Sequence, residues 1–241
     1  MKRETKIVAF SDTHTYHRTV KVPDGDVLVF AGDLMSSGYR HEEVKDFADW
    51  FMSQPHDHKV LVAGNHDRMF ESNLEYCLSK FTKRLGNFVY LQDSGINIRG
   101  WNFWGSPYQP EFCNWAFNKY RGPDIKQHWD KIPNDTDILI THGPPRGFGD
   151  QMGMLYGEGK WAAERVGCDD LLDAVKRVKP TAHFFGHIHN GRGIYLDTTD
   201  NEKGISVVNP DLQTSFHNVA ICSEAYEPDG ACQTLWLGER E

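Results

Sequence analysis

Long apolar runs are missing from this sequence, and with them any stretch approaching the roughly 20 residues that a membrane-crossing helix requires. Positive charge is also short: 26 Lys and Arg stand against 34 Asp and Glu, a net charge of -8. An acidic surface repels long polyanions, which disfavours a nucleic-acid polymer as partner. The exclusion does not reach small anions, because bound metal ions invert the local charge. Cysteine is scarce. The five present (Cys77, Cys113, Cys168, Cys222 and Cys232) are odd in number, scattered and without a CxxC pair. They exclude a zinc-finger or disulfide framework and point to a reducing cytoplasm. No apolar leader segment precedes the first strand-like run, and there is no internal repeat, low-complexity tract or linker. The expectation is a soluble cytoplasmic protein with no membrane partner; nothing in the pattern assigns an oligomeric state.

What is present is ordinary globular material, 39% hydrophobic and 25% charged, with seven Trp among 12% aromatics that imply a large interior. A length of 241 residues suits one core, so a single domain over residues 1–241 is expected. Lys6 to Phe10, Asp26 to Phe30, Lys59 to Ala63, Asp137 to Thr141 and Ala182 to Phe185 are short apolar runs of the kind buried on both faces of a helix-covered sheet. Helical spacing of Val44, Phe47, Ala48 and Phe51 predicts a helix over His41 to Met52. Leu171, Leu172, Val175 and Val178 predict another over Cys168 to Val178, stopped by Pro180. Beyond Gly191, strand-like runs follow at Gly193 to Leu196, Ile205 to Val208, Asn218 to Ile221 and Gln233 to Leu237. The pattern reads as a layered α/β fold, two sheets packed together with helices outside.

Each buried run is followed by polar chemistry. Ser11-Asp12-Thr13-His14 follows the first, Ala31-Gly32-Asp33 the second, and Gly64-Asn65-His66-Asp67 the third. The fourth leads into His142-Gly143-Pro144-Pro145 and the fifth into Gly186-His187-Ile188-His189. Carboxyl ends of strands are where open α/β sheets gather ligands. In Asp12-x-His14 and His187-x-His189 a spacing of two puts both side chains on one face of an extended stretch. The glycines at 32, 64 and 186 permit sharp turns and close approach. Carboxylate, amide and imidazole donors without thiolate favour manganese, iron, zinc or cobalt over a structural zinc knot. Two such ions about 3.5–4 Å apart stabilise both the attacking and the leaving oxygen of an in-line displacement.

Taken in order, D-x-H, GD, GNHD, TH and GH-x-H resemble the calcineurin-like metallophosphoesterase superfamily over roughly Lys6 to Val208. Gly105-Ser106-Pro107, Trp115-Ala116-Phe117-Asn118, Arg121-Gly122 and THGPP followed by Gly147-Phe148 resemble its metallophosphoesterase-domain (MPPED, or 239AB) branch, which contains cyclic-nucleotide phosphodiesterases. The resemblance implies a four-layer α/β/β/α sandwich of two mixed β-sheets flanked by helices. It implies two divalent ions, manganese first, one held by Asp12, His14 and His189, the other by Asn65, His142 and His187, with Asp33 bridging. The implied reaction is hydrolysis of a small phosphodiester or nucleotide, cyclic nucleotides foremost, by a hydroxide bridging the metals. His66, held by Asp67, would assist the leaving oxygen. Some vertebrate members of the branch have Gly where this chain has His187, so fuller metal occupancy is expected here. The phosphoprotein-phosphatase pattern GDxxDRG is absent, since Asp33 leads into Leu34-Met35-Ser36-Ser37-Gly38. A phosphomonoesterase or nucleotide pyrophosphatase of the same fold is the alternative, and a non-catalytic scaffold is disfavoured because every ligand is present.

Four further residues are expected at the substrate: Arg146 for a phosphate, His17 for the cleft near Asp12 and His14, and Tyr108 and Phe112 for stacking on a base. His41, His56, His58 and His128 read as solvated, His183 as a core histidine, and His217 is unmarked.

Overall fold

The structure is a computed structural model that describes residues 4–81, 87–156, 160–196 and 214–238. The chain begins with β1 (Thr5–Phe10), β2 (Val27–Ala31), α1 (His41–Ser53) and β3 (His58–Val62). Helices α2 (Arg68–Ser72) and α3 (Leu74–Phe81) lead to β4 (Asn87–Tyr90), β5 (Ser94–Ile98) and β6 (Trp101–Ser106). Two short strands, β7 (Gln109–Pro110) and β8 (Asn118–Lys119), precede α4 (Pro123–Trp129) and β9 (Ile138–Thr141). The hairpin β10 (Gln151–Tyr156) and β11 (Lys160–Arg165) is followed by α5 (Asp169–Val178) and β12 (Ala182–Phe185). The last strands are β13 (Gly193–Leu196), β14 (Ser215–Asn218) and β15 (Gln233–Leu237).

One sheet has the order β15-β1-β2-β3-β4 and the other β13-β14-β12-β9-β6-β5. Each has a parallel interior and antiparallel pairing at an edge: β15 on β1 in the first, whose other edge strand β4 pairs parallel with β3, and β13 on β14 and β5 on β6 in the second. Runs that are apolar at every position serve two cores, because successive side chains leave opposite faces. Ile7, Ala9, Val27, Val29 and Val60 meet Phe103, Ile138, Ile140 and Phe184 between the sheets. Val8, Phe10, Leu28, Phe30 and Leu61 face outward onto Phe47 and Phe51 of α1 and Phe81 of α3. Leu139, Phe185 and Phe216 do the same toward Ile125 and Trp129 of α4 and Leu171 and Val175 of α5. The layers are α/β/β/α, with both sheets mixed.

Helix α1 begins at His41 with Glu42 and Glu43 in its first turn, where the helix dipole favours negative charge. It ends where Pro55 restricts Gln54 to extended backbone. The second predicted helix starts one residue later than expected, because Cys168 is its N-cap and accepts from the Leu171 N–H at 3.4 Å. The strand expected over Asn218 to Ile221 instead covers Ser215–Asn218 and pairs parallel with β12. Its polar first residues mask it in the sequence. The expected Ile205 to Val208 strand lies outside the described residues. Among the described residues, no helix is long and apolar enough to cross a membrane.

Candidate metal centre

The loops leaving β1, β2, β3, β9 and β12 converge at one end of the sandwich and bring together Asp12, His14, Asp33, Asn65, His142, His187 and His189. Asp12, His14 and His189 place ligand atoms within 4.8 Å of one another, as do Asp33, His142 and His187, and His14, Asp33 and His66. Asp33 belongs to two groups and lies between them: its Oδ2 is 3.8 Å from His14 Nε2 and 3.4 Å from His142 Nε2. Asn65 Oδ1 is 2.8 Å from His142 Nε2 and 2.9 Å from His187 Nδ1. His189 Nε2 is 3.4 Å from Asp12 Oδ1.

Backbone geometry makes this convergence. Asp12, His14, Asp33 and His187 all have positive φ (52°, 38°, 63° and 67°), a region that non-glycine residues enter at a cost when the surroundings over-determine it. Gly64 and Gly186 make room: a Cβ on Gly64 would run into the Asp33 carboxylate, and one on Gly186 into Asp12 and Ser11. The Asp12 carboxylate is oriented by the Ser11 hydroxyl and by the His187 N–H at 3.0 Å. Ser11 and the His187 backbone are thus parts of the site that the motif reading did not single out.

Three imidazoles are set by carbonyls, which can only accept. His14, His142 and His189 donate from Nδ1 to the carbonyls of Met35 (3.1 Å), Ala31 (2.9 Å) and Ser223 (2.8 Å). That fixes each Nε2 toward the interior of the site, the arrangement expected of metal-ligating histidines. His14 Nε2 then faces His189 Nε2 at 3.3 Å, and His142 Nε2 faces the Asn65 carbonyl oxygen. Ring nitrogens and an amide oxygen facing one another beside two buried carboxylates are a donor set that fits divalent cations.

The titration of these groups reflects their crowding. Burial alone would raise the Asp33 carboxyl, but the His142 and His66 imidazoles hold it well below the usual carboxylate range. Burial opposes charge on His142 and His189, yet Asp33 beside the first and Asp12 beside the second push each up to about 9. Burial keeps His14 and His187 neutral, down to about 4.

His66 stands at the mouth of the site. Its Nδ1 is bonded to the Ser36 carbonyl, its ring edges onto His14 at 4.7 Å, and it stacks on Trp115 at 4.0 Å. Asp67 does not hold it, contrary to expectation. The two side chains diverge from adjacent backbone positions, and the Asp67 carboxylate accepts the N–H groups of Asp33 (2.9 Å), Gly64 (2.8 Å) and Met35 (3.0 Å). It ties the loops after β2 and β3, and burial with the charge of Asp33 pushes its carboxyl up to about 7.

The site forms the floor of a cleft of about 480 Å3. Of the four expected substrate contacts, Phe112 alone lines it. His17 is buried beneath α1, 3.0 Å from Asp46 and against Phe47 and Trp50, because the 3-10 turn at Tyr16–Thr19 directs it away. Tyr108 packs on His128 and Phe117. Arg146 turns to the Arg165 carbonyl and the Asp169 carboxylate. Its place at the cleft is taken by Arg121, which bonds the Gly167 and Val166 carbonyls. Trp115 and Tyr226 complete the walls. Tyr226 comes from the C-terminal loop, beyond every recognisable motif, and edges onto His14 at 4.7 Å. His56 and His128 are buried rather than solvated, His128 through a 2.6 Å bond to Asp93, a partner remote in sequence. His183 is buried, as expected.

The sequence model of the calcineurin-like phosphoesterases matches residues 5–191, a span that includes all seven donors. The chain belongs to that family. Metallophosphoesterase domain-containing protein 1 of Homo sapiens is 37% identical over 93% of this chain and 68% of its own length. UPF0046 protein K07C11.7 of Caenorhabditis elegans is 39% identical over 91% and 70%. In fold the chain is similar to TT1561 of Thermus thermophilus, with a TM-score of 0.55 at 13% identity, covering 98% of this chain and 99% of that one. This calcineurin-like phosphoesterase is a metal-dependent enzyme of the MPPED-like branch, and Ser223 and Tyr226 reach its metal centre from outside the matched span.

Proposed function

We propose that the protein hydrolyses small phosphodiesters, cyclic nucleotides foremost, by in-line displacement at phosphorus. The observation that carries this reading is a seven-donor cage at the floor of a 480 Å3 cleft whose walls are largely aromatic and apolar. Asp12, His14 and His189 would hold one ion, Asn65, His142 and His187 a second, and Asp33 would bridge, with manganese the first candidate metal. Divalent ions in such a pair lower the pKa of a bound water and bind the charge that develops on phosphorus.

The chain's own groups supply the rest. His66 faces the cleft with its Nδ1 on the Ser36 carbonyl, and its Nε2 delivers a proton to the departing oxygen when the ring is charged. Phe112 and Tyr226 offer faces to a planar base. Beyond the metal cage, Arg121 faces the cleft alongside the carboxylates of Glu111, Glu164 and Glu224. That balance suits a singly charged diester with a neutral remainder, and disfavours a dianionic monoester or a pyrophosphate.

A substrate panel with manganese tests the reading: nitrophenyl mono- and diesters, then 2′,3′- and 3′,5′-cyclic nucleotides. Diesters should exceed monoesters, and cyclic nucleotides should exceed simple alkyl diesters, in kcat/KM. A preference for monoesters, or for dinucleotide pyrophosphates, overturns it. Asp33→Asn should abolish turnover with loss of metal, whereas His66→Gln should keep the metal and lose rate chiefly on poor leaving groups. Asp33→Asn hydrolysing bis(p-nitrophenyl) phosphate like wild type, or His66→Gln losing nothing on an alkyl diester, would refute the mechanism.

A further inference from the structure

Outside the ligand set, a continuous stack of side chains runs from the surface to His66. Tyr39 lies at the outside, 66% exposed. The Arg68 guanidinium sits 5.2 Å from the Tyr39 ring and 4.7 Å from the Trp115 ring. Trp115 also stacks on His66, with centroids 4.0 Å apart and planes 28° from parallel. The two middle members of the stack are anchored. The Ala116 N–H donates to the Asn65 carbonyl at 3.1 Å, and the Phe117 N–H to Glu71 of α2 at 2.9 Å, fixing the backbone around Trp115. Arg68 donates to the Asn114 carbonyl.

We propose that Trp115 and Arg68 are positioning residues that set the plane of the His66 imidazole. The Ser36 carbonyl holds that ring by one nitrogen, which fixes a point and leaves rotation about it; His14 meets it edge-on. A flat surface at stacking distance removes the remaining rotation. Trp115 is that surface, and Arg68, held over the indole by cation–π attraction, keeps it from tilting away. The inference rests on His66 acting on the leaving oxygen, since ring orientation decides where its second nitrogen points.

The test compares kcat and KM of the manganese-loaded enzyme for an alkyl and a nitrophenyl diester in Trp115→Ala, Trp115→Phe, Arg68→Met and His66→Gln, with the double variant Trp115→Ala/His66→Gln. A misplaced catalytic group costs about tenfold to a hundredfold. Trp115→Ala should lose that in kcat on the alkyl diester, and clearly less in kcat on the nitrophenyl diester. Arg68→Met should lose less in the same direction, and Trp115→Phe should recover part of the loss. The double variant should be no slower than His66→Gln alone. Losses that multiply in the double variant, or a raised KM with kcat kept in Trp115→Ala, overturn the proposal and make Trp115 a substrate contact. If His66→Gln loses rate equally on both leaving groups, the proton-donor reading falls, and the double variant still decides whether Trp115 acts through His66. Should Trp115→Ala fail to fold, Trp115→Phe and Arg68→Met carry the comparison.

Discussion

Between the Asp33 carboxylate and the His142 ring there is space for the hydrogen of Gly64 and little else. A Cβ there would collide with Asp33 Oδ1 and come within 2.6 Å of His142 Cε1. Gly64→Ala is therefore expected to hold less than one metal ion per chain after reconstitution, against about two in the wild type. Elemental analysis measures it, and full metal content in the variant would contradict the geometry. His183 gives a second prediction. Its Nε2 is 2.8 Å from Thr141 Oγ1, and burial, with the nearby His217, pulls its pKa down to about 3. The unfolded ring takes its proton near pH 6.5, the folded ring only near pH 3. Between those values the unfolded chain binds more protons, so stability is full above pH 6.5 and falls as the pH drops through that window. At pH 5 this group costs about 2 kcal/mol, and denaturant titrations of His183→Leu should show a correspondingly shallower acid loss. The metal ligands and the core placement of His183 were legible because each sits beside or inside a buried run. Trp115 was hidden among neighbouring aromatics, and Tyr226 and Arg121 reach the cleft through contacts with segments far away in the chain.

At the level of elements, the decisive joint is Asp67, which ties the loop after β2 to the loop after β3 through three backbone N–H groups. Asp67→Ala leaves those donors buried and unpaired, each costing about 1–3 kcal/mol. The expected outcome is a markedly lower melting temperature together with weakened metal retention, with Asp67→Asn intermediate because an amide keeps one accepting oxygen. A melting curve and metal content like wild type in Asp67→Ala would show that the loops hold without it. The elements legible in the sequence were those whose local pattern and tertiary role agree. Five buried runs became β1, β2, β3, β9 and β12, and α1 has the spacing its burial requires. Strands β5 and β6 were not legible: the first alternates half-buried and exposed residues, and the second carries Trp101, Asn102 and Trp104 at positions only partly buried. Helix α2 is too short to have a period.

For the whole molecule, the cage concentrates inward-facing ring nitrogens and buried carboxylates that cations would bind. Any ion bound to the folded state alone stabilises it by mass action. Manganese a hundredfold above its Kd should add about 2.7 kcal/mol, raising Tm by roughly 5–10 °C for a chain of this size, and chelation should reverse the gain. Differential scanning fluorimetry reads this directly, and a Tm indifferent to both treatments would count against the cage. The layered architecture was legible because uniformly apolar strands require a partner on each face; the order of strands in the second sheet was not, since β14 reaches β12 from a later part of the chain.

Asp12, His14, Asp33 and Asn65 leave one sheet, and His142, His187 and His189 leave the other. Neither sheet owns the centre. Metal–donor distances tolerate about 0.2 Å, whereas one residue of slip along a strand is about 3.3 Å. The greasy seam of Val29, Ile140 and Phe184 therefore acts as the alignment jig for chemistry it never touches. Loosening that seam, for instance by trimming Phe184, should first register as ions escaping faster to a chelator, well before the protein loses its secondary structure.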